Sequence, residues 1–204
     1  NNKFKNQEAI WGNEASDSAI YTRNFFLMQD VKKVLIPGIG YGRNAKVFSD
    51  GGMHITGIEI SKPAIDMAKR LLPEDSQLFH ASVTEMPLNN DSYDGIYCYA
   101  LAHLLEYDDR KAFIMNCYMQ LKKGASMMFM VVSKKDNMFG KGEKIEKDRF
   151  RLDEGLEVFF YDIKSIKDEF GEFGLIGYQE FDEPIKHMKN QDPIKCYIVK
   201  CQRK

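Results

Sequence analysis

The sequence lacks the cysteine patterns that mark zinc sites and disulfide frameworks. Its 204 residues include four cysteines, none in a C-x-x-C pair, and no cysteine–histidine spacing is typical of a metal site. We therefore expect reduced thiols, no bound metal and a cytoplasmic location. Long apolar runs are missing too. None approaches the roughly 18 to 20 residues that span a bilayer, so we expect no membrane partner.

An excess of charge of either sign is also missing. The 29 lysines and arginines nearly balance 30 aspartates and glutamates, which gives a formal net charge of -1. With that balance no global field favours nucleic acid or an acidic membrane, and we expect no nucleic-acid partner. The sequence shows no internal repeat and no long linker, and its length suits a single domain with a substantial core.

Strand-like and helix-like segments alternate through the first two thirds of the chain. Short apolar runs predict strands at 33–36, 54–59, 77–80, 93–99 and 125–133, and the segments between predict helices at 15–28, 43–49, 62–72 and 108–121. Ser61 and Asp108 are expected to cap the last two helices, and Lys122-Lys123-Gly124 is expected to end the final one. This alternation predicts an α/β, Rossmann-like, doubly wound sheet.

The pattern changes after the fifth predicted strand. Residues 134–161 are charged and predict an irregular segment, followed by a helix at 162–170. Two final strand-like runs, 176–181 and 196–201, have no helix between them and are expected to pair antiparallel. We therefore expect a mostly parallel sheet with an antiparallel last strand. The single domain would comprise an N-terminal cap (1–30), a ligand-binding core (31–133), an insertion or lid (134–161) and a C-terminal part (162–204).

The stretch VLIPGIGYGRNA places three glycines directly after the first predicted strand. Gly38, Gly40 and Gly42 let the backbone turn tightly and approach a ligand where the strands of such a sheet end. Glu59 ends the second strand, and a carboxylate there suits the two hydroxyls of a ribose. A dinucleotide fingerprint needs a small residue where Arg43 stands, which argues against a nucleotide-dependent oxidoreductase. The alternative without a ligand is a tight strand-to-helix turn.

Five motifs follow one another in order: VLIPGIGYGRNA, ITGIEIS, ASVTEMP, YDGIYC and LKKGASMMFMV. Over about residues 30–133 they resemble the ordered motifs of the class I S-adenosylmethionine-dependent methyltransferases. GYGRN is similar to the glycine loop of the tellurite-resistance methyltransferases, and PG-G-G followed by GIEIS is similar to the thiopurine methyltransferase group. The resemblance implies S-adenosylmethionine as the cofactor and methyl transfer as the reaction.

The resemblance also implies which residues bind that cofactor. Glu59 would hold the ribose hydroxyls, Ile60 would pack on the adenine, and Ser82 stands where relatives usually have an aspartate for the adenine amino group. Many relatives carry an acid near the methionine ammonium at the position of Ile36, which cannot serve in this way. The implied cofactor-binding residues are Trp11, Gly38, Gly40, Gly42, Glu59, Ile60, Ser82, Val83, Tyr99 and Ala100.

Methyl transfer needs few catalytic side chains, because the cofactor supplies the reactivity and the protein orients it. His103, after the fourth strand, is the best acid–base candidate, with a structural histidine as the alternative. Tyr99 is expected to line the path of the methyl group or to pack in the core. The sequence lacks both the [DN]-P-P-[YF] motif of base-amino methylation and the Pro-Cys of cytosine C5 methylation. We therefore expect a small-molecule acceptor.

Two further alternatives stay open at this level. A chain of this kind can bind S-adenosylmethionine or its product without catalysis, as a sensor or a partner subunit.

Large aromatic residues in segments 1–21 and 134–161 predict that these segments meet over the pocket as a lid, since a solvated loop has little use for such rings. The alternative is that the rings anchor each segment to the edge of the sheet.

Overall fold

A computed structural model describes residues 12–86, 92–188 and 190–204 of the chain. The strands in these ranges are β1 (Lys33–Pro37), β2 (His54–Glu59), β3 (Gln77–His80), β4 (Tyr93–Tyr99), β5 (Leu121–Val132), β6 (Glu143–Glu146), β7 (Arg149–Arg151), β8 (Glu157–Phe159), β9 (Leu175–Glu183) and β10 (Ile194–Gln202). The helices are α1 (Asp17–Met28), α2 (Arg43–Asp50), α3 (Lys62–Leu71), α4 (Tyr107–Gln120) and α5 (Ile163–Phe170).

Seven of these strands form the central sheet, in the order β3-β2-β1-β4-β5-β10-β9. The first five in this order run parallel, and β10 pairs antiparallel with both β5 and β9. The expected α/β sheet with an antiparallel end is confirmed. The order of the strands reverses between β1 and β4, and ligands of such sheets bind outside the carboxyl ends of the strands at that point.

Helices pack on both faces of the sheet and make two cores. One core buries Phe113, Phe129 and Phe170, whose rings meet edge to face at centroid distances of 5.9 and 5.2 Å. The other buries Phe26 of α1 and Phe48 of α2, with ring centroids 5.9 Å apart. Burial of each ring contributes about 1.5–3 kcal/mol. The sheet is therefore a rigid base for the loops at its edge.

The helix ends follow some sequence signals and not others. Asp162 caps α5, because its Oδ1 atom accepts from the N–H of Ser165 at 2.8 Å. Ser61 stands at the N-cap of α3, but its hydroxyl makes no capping bond and is buried without a hydrogen-bond partner among the described residues. Asp108 lies in the first turn of α4, and the N-cap is Glu106. Ser61 is therefore confirmed as the N-cap residue but without a side-chain capping bond, and the prediction for Asp108 is wrong.

The Lys122-Lys123-Gly124 sequence does not end α4, although its charges predict that it would. The helix ends at Gln120 and β5 begins at the next residue, so these three residues lie in the strand. Gly124 has a φ of 78°, a conformation that favours glycine within a strand as well as after a helix. The lysine–glycine pattern thus opens the next strand without a linker.

Residues 134–161, which we call the insertion, were predicted to be irregular, and the structure shows that this prediction is wrong. They contain a second sheet of three antiparallel strands, β6-β7-β8. Phe139, Phe150 and Phe160 meet edge to face there, at centroid distances of 5.3 to 6.1 Å. Phe159 and Tyr161 pack into the main core. These rings pack the insertion against the rest of the protein.

Candidate functional site

The three glycines of the loop after β1 all have left-handed backbones. The φ angles are 67° at Gly38, 58° at Gly40 and 89° at Gly42, which residues with a Cβ adopt only with strain. The loop is fixed to the end of β2, because the N–H groups of Gly38 and Ile39 donate to the carbonyl of Ile58 at 2.8 and 3.0 Å. A Cβ added to Gly40 would meet nothing within 4 Å, so open space lies beside its backbone.

Glu59 places a carboxylate next to this open space. Its Oε2 atom accepts from the N–H of Gly40 at 3.0 Å, and its Oε1 atom accepts from the N–H of Ser61 at 2.8 Å. A carboxylate can accept about four hydrogen bonds, so lone pairs remain for a ligand hydroxyl. Ile36 is buried in the core and brings no acid to the site, as its sequence position already implied.

The ends of β2 and β3 form a neighbouring surface. Ile60 is 60% exposed, so its side chain is open to a ligand. A ring nitrogen of His80 lies 3.0 Å from the carbonyl of Ile60. The hydroxyl of Ser82 is engaged locally, 2.7 Å from that of Thr84. Val83 points into the core, so its backbone alone faces this edge.

Tyr99 ends β4, which pairs with β1 next to the glycine loop, and Ala100 follows it. Ala100 has a φ of 52°, and strained backbone of this kind is concentrated at functional sites. Burial raises the pKa of the Tyr99 hydroxyl to about 12, the negative charge of Glu183 adds to this, and the cation of Arg43 opposes it. The guanidinium carbon of Arg43 lies 5.5 Å from the centre of the Tyr99 ring. The Tyr99 hydroxyl therefore stays protonated at neutral pH.

His103 follows in a short 3₁₀ turn, residues 102–104, and its side chain is buried. Its Nδ1 atom accepts from the N–H of Val132 at 3.4 Å. Burial, with a smaller contribution from the cation of Arg110, lowers the pKa of His103 to about 3. A neutral, buried imidazole that accepts a backbone hydrogen bond favours the structural alternative over acid–base chemistry.

Side chains next to the glycines hold the N-terminal segment against the loop. The Tyr41 hydroxyl donates to the carbonyl of Gly12 at 2.6 Å, and Nη1 of Arg43 donates to the carbonyl of Glu14 at 2.7 Å. One residue further along, Oδ1 of Asn44 accepts from the N–H of Ser16 at 2.9 Å. Trp11, one of the implied cofactor-binding residues, lies outside the described residues. Hydrogen bonds thus join Gly12, Glu14 and Ser16 to the glycine loop and to the start of α2.

The first residues of α1, which follow this N-terminal segment, are held by residues at and after the end of β9. The carboxylate of Glu183 is 1% exposed and accepts from the N–H groups of Asp17 and Ser18 at 2.8 and 3.0 Å. Lys186 pairs with Asp17 at 2.6 Å. Sequence reasoning missed Asn44, Glu183 and Lys186, because an acid or amide far along the chain carries no local signal of this contact.

Metal-binding clusters and membrane spans are both missing from the described residues. Within the part of the chain that the structure describes, no group of three histidine, cysteine, aspartate or glutamate side chains could hold a metal ion. None of the helices there is long and apolar enough to cross a membrane.

Residues 35–129, just under half of the chain, match the family described as "Methyltransferase domain". No curated protein matches the chain. Among solved structures, a 1,6-didemethyltoxoflavin N1-methyltransferase of Burkholderia thailandensis, with bound 1,6-didemethyltoxoflavin and S-adenosylhomocysteine, has a TM-score of 0.76 at 12% identity, covering 99% of this chain and 84% of that chain.

Two further structures show the same fold. The magnesium protoporphyrin IX methyltransferase of Synechocystis PCC 6803, with bound S-adenosylmethionine, has a TM-score of 0.69 at 10% identity, covering 99% of this chain and 91% of that one. An S-adenosylmethionine-dependent methyltransferase of Methanosarcina mazei has a TM-score of 0.69 at 16% identity, covering 84% and 92%. At these identities the structures establish the shared fold.

Proposed function

We propose that this chain is an S-adenosylmethionine-dependent methyltransferase and that it methylates a small organic acceptor by in-line transfer; the domain match at residues 35–129 and the shared fold support the proposal. The observation that carries the proposal is the pairing of Gly40 with Glu59. A glycine whose missing Cβ leaves open space lies beside a carboxylate with free lone pairs, at the edge where ligands of such sheets bind.

The residues present fit the cofactor. We assign Glu59 to the ribose hydroxyls, the exposed Ile60 to the face of the adenine, and Ser82 with the backbone of Val83 to the adenine edge. Gly38, Gly40 and Gly42 would face the ribose and the methionine. Trp11 is proposed as a cover over the cofactor.

The methionine end would lie between the glycine loop and the end of β4. Because Ile36 offers no acid, we assign the ammonium to backbone carbonyls such as those of Gly38 or Tyr99. When bound, S-adenosylmethionine supplies an electrophilic methyl group, and a strong base is needed only for a poorly nucleophilic acceptor. The protonated hydroxyl of Tyr99 can donate a hydrogen bond to an acceptor, and the backbone of Ala100 borders the methyl position.

Several features favour a small-molecule acceptor. The motifs of base-amino and cytosine C5 methylation are missing from the sequence, and the net charge of -1 provides no general attraction for nucleic acid. The Burkholderia and Synechocystis enzymes are named for small-molecule acceptors, a toxoflavin precursor and a porphyrin. We also propose a cytoplasmic location, from the unpaired cysteines, and a place in the tellurite-resistance or thiopurine branch, from the GYGRN and GIEIS motifs.

The test is transfer of an isotope-labelled methyl group from S-adenosylmethionine by the purified chain. The substrates are the small-molecule, protein and nucleic-acid fractions of a cell extract, tested separately. Label that enters the small-molecule fraction supports the proposal. Label confined to another fraction refutes the acceptor class, and binding of S-adenosylmethionine without transfer into any fraction favours the non-catalytic alternative.

A further inference from the structure

The loop after β4, residues 100–105, is strained where it begins. Ala100 has a φ of 52°, which a residue with a Cβ keeps only when its surroundings hold it there. The next residue packs on the glycine loop, because a Cβ added to Gly38 would lie 2.8 Å from Cδ2 of Leu101. We call residues 100–105 the β4 loop. Its shape sets the space beside the glycine loop.

Two buried arginines hold the far end of the β4 loop through one carbonyl group. Nη1 of Arg149, in β7 of the insertion, donates to the carbonyl of Leu105 at 2.6 Å, and Nη1 of Arg110, in α4, donates to it at 2.9 Å. The arginines are 4% and 1% exposed, and each is paired with its own carboxylate, Glu157 or Glu169. Hydrogen bonds from charged donors are about twice as strong as neutral ones.

The middle of the β4 loop is held from two more sides. His103 accepts the hydrogen bond from Val132 of β5, and Leu104 packs among the apolar side chains of the insertion, which include Phe150 and Phe160. Backbone bonds within the loop, from the N–H of Leu104 and Leu105, make it a compact turn. We therefore expect a change at Leu105 to reach Ala100 through this turn.

We infer that Arg149 is a positioning residue, by which the insertion holds the β4 loop in the form that receives the amino-acid end of S-adenosylmethionine. The inference rests on the proposed function. Arg149 has no assigned contact with the cofactor and acts through the carbonyl of Leu105. It gives the insertion a role in cofactor binding that requires no lid movement.

The test compares Arg149→Met with Arg151→Met as the matched control. Arg151 lies on the same strand and shares the carboxylate of Glu157, but its side chain is 42% exposed and its hydrogen bonds go to Glu157 and Glu143. Calorimetry measures the affinity for S-adenosylhomocysteine and for 5′-methylthioadenosine, which has the same nucleoside but no amino-acid end. We expect Arg149→Met to weaken the affinity for S-adenosylhomocysteine roughly tenfold and the affinity for 5′-methylthioadenosine less than about twofold. Arg151→Met should change neither affinity.

Equal weakening of both compounds by Arg149→Met would indicate a general loss of structure and overturn the inference, as would an unchanged affinity for S-adenosylhomocysteine. If this variant does not fold, Arg149→Lys carries the test. Lysine keeps the charge but has no fork to reach Leu105 and Glu157 together, so we expect a smaller loss confined to S-adenosylhomocysteine. No loss, or equal loss, again overturns the inference. A wild-type chain that binds neither compound overturns the proposed function as well.

Discussion

Glu59 accepts a hydrogen bond from the backbone of Gly40, with Oε2 3.0 Å from the amide nitrogen. The bond joins the end of β2 to the glycine loop after β1, so the carboxylate is oriented before any ligand arrives. Preorganisation of this kind reduces the entropy lost on binding. The same contact makes the shape of the loop depend on Glu59.

Replacement of Glu59 by alanine should weaken binding of S-adenosylhomocysteine, because the ribose hydroxyls lose a charged acceptor. Each such hydrogen bond is worth about 1.5–3 kcal/mol, which calorimetry resolves easily. Glu74→Ala is the control, since it removes an exposed carboxylate that precedes β3, at the other end of that strand. A folded Glu59→Ala chain with wild-type affinity would contradict the assignment of Glu59 to the ribose hydroxyls.

Gly40→Val should abolish binding, because a branched side chain would fill the open space beside the loop. Gly52→Val is its matched control. Gly52 also has a left-handed φ, of 80°, and a Cβ added to it would meet nothing within 4 Å, but it follows α2 at the other end of the helix. Each substitution should cost about 1–2 kcal/mol of stability through backbone strain. Equal binding by the two variants would contradict the assignment of Gly40 to the ligand-binding loop.

His103 should make the fold less stable in acid. Its pKa is about 3 in the folded protein and 6.5 ordinarily, so between these values the unfolded chain binds a proton that the folded chain does not. The free energy of unfolding then falls as the pH drops below the ordinary pKa, by about 2 kcal/mol at pH 5. Urea unfolding at pH 7.5 and 5 should show this loss in wild type. His103→Asn, which keeps an acceptor for Val132, should lack it, and an identical loss in both proteins would refute the assignment.

Ligand binding should slow amide hydrogen exchange in residues 12–21. This segment is tied to the glycine loop by Tyr41, Arg43 and Asn44, so a ligand that orders the loop orders the segment too. Exchange with and without S-adenosylhomocysteine measures this directly. The anchored rings of the insertion predict little change at 134–161. Slower exchange there as well would establish the lid, and slower exchange around 38–59 alone would contradict the coupling to the N-terminal segment.

The central sheet could be predicted from the sequence, because its buried strands are short apolar runs and most of the connections between elements carry glycine, proline or charged residues. The predicted strand at 54–59 matches β2 to the residue, and the antiparallel ending follows from the missing helix between the last two strands. Glu59 and the three glycines stand out for the same reason. Their spacing is fixed by the strands that precede them.

Other features depend on contacts that leave no local pattern. The strands of the insertion are only three or four residues long, which is too short for an alternating pattern to mark them. Glu183 caps a helix that begins 166 residues earlier, and Arg149 reaches back 44 residues to Leu105. Ser61 is the opposite case, because the sequence predicts a capping hydroxyl there and the hydroxyl makes no capping hydrogen bond in the structure.

Calorimetric titration of the full chain, with S-adenosylhomocysteine and in parallel with NAD, tests the central claim most directly. We predict saturable one-to-one binding of S-adenosylhomocysteine that Gly40→Val removes, and no heat of binding with NAD. Binding of NAD without binding of S-adenosylhomocysteine would contradict the claim, and would favour a nucleotide-dependent oxidoreductase instead.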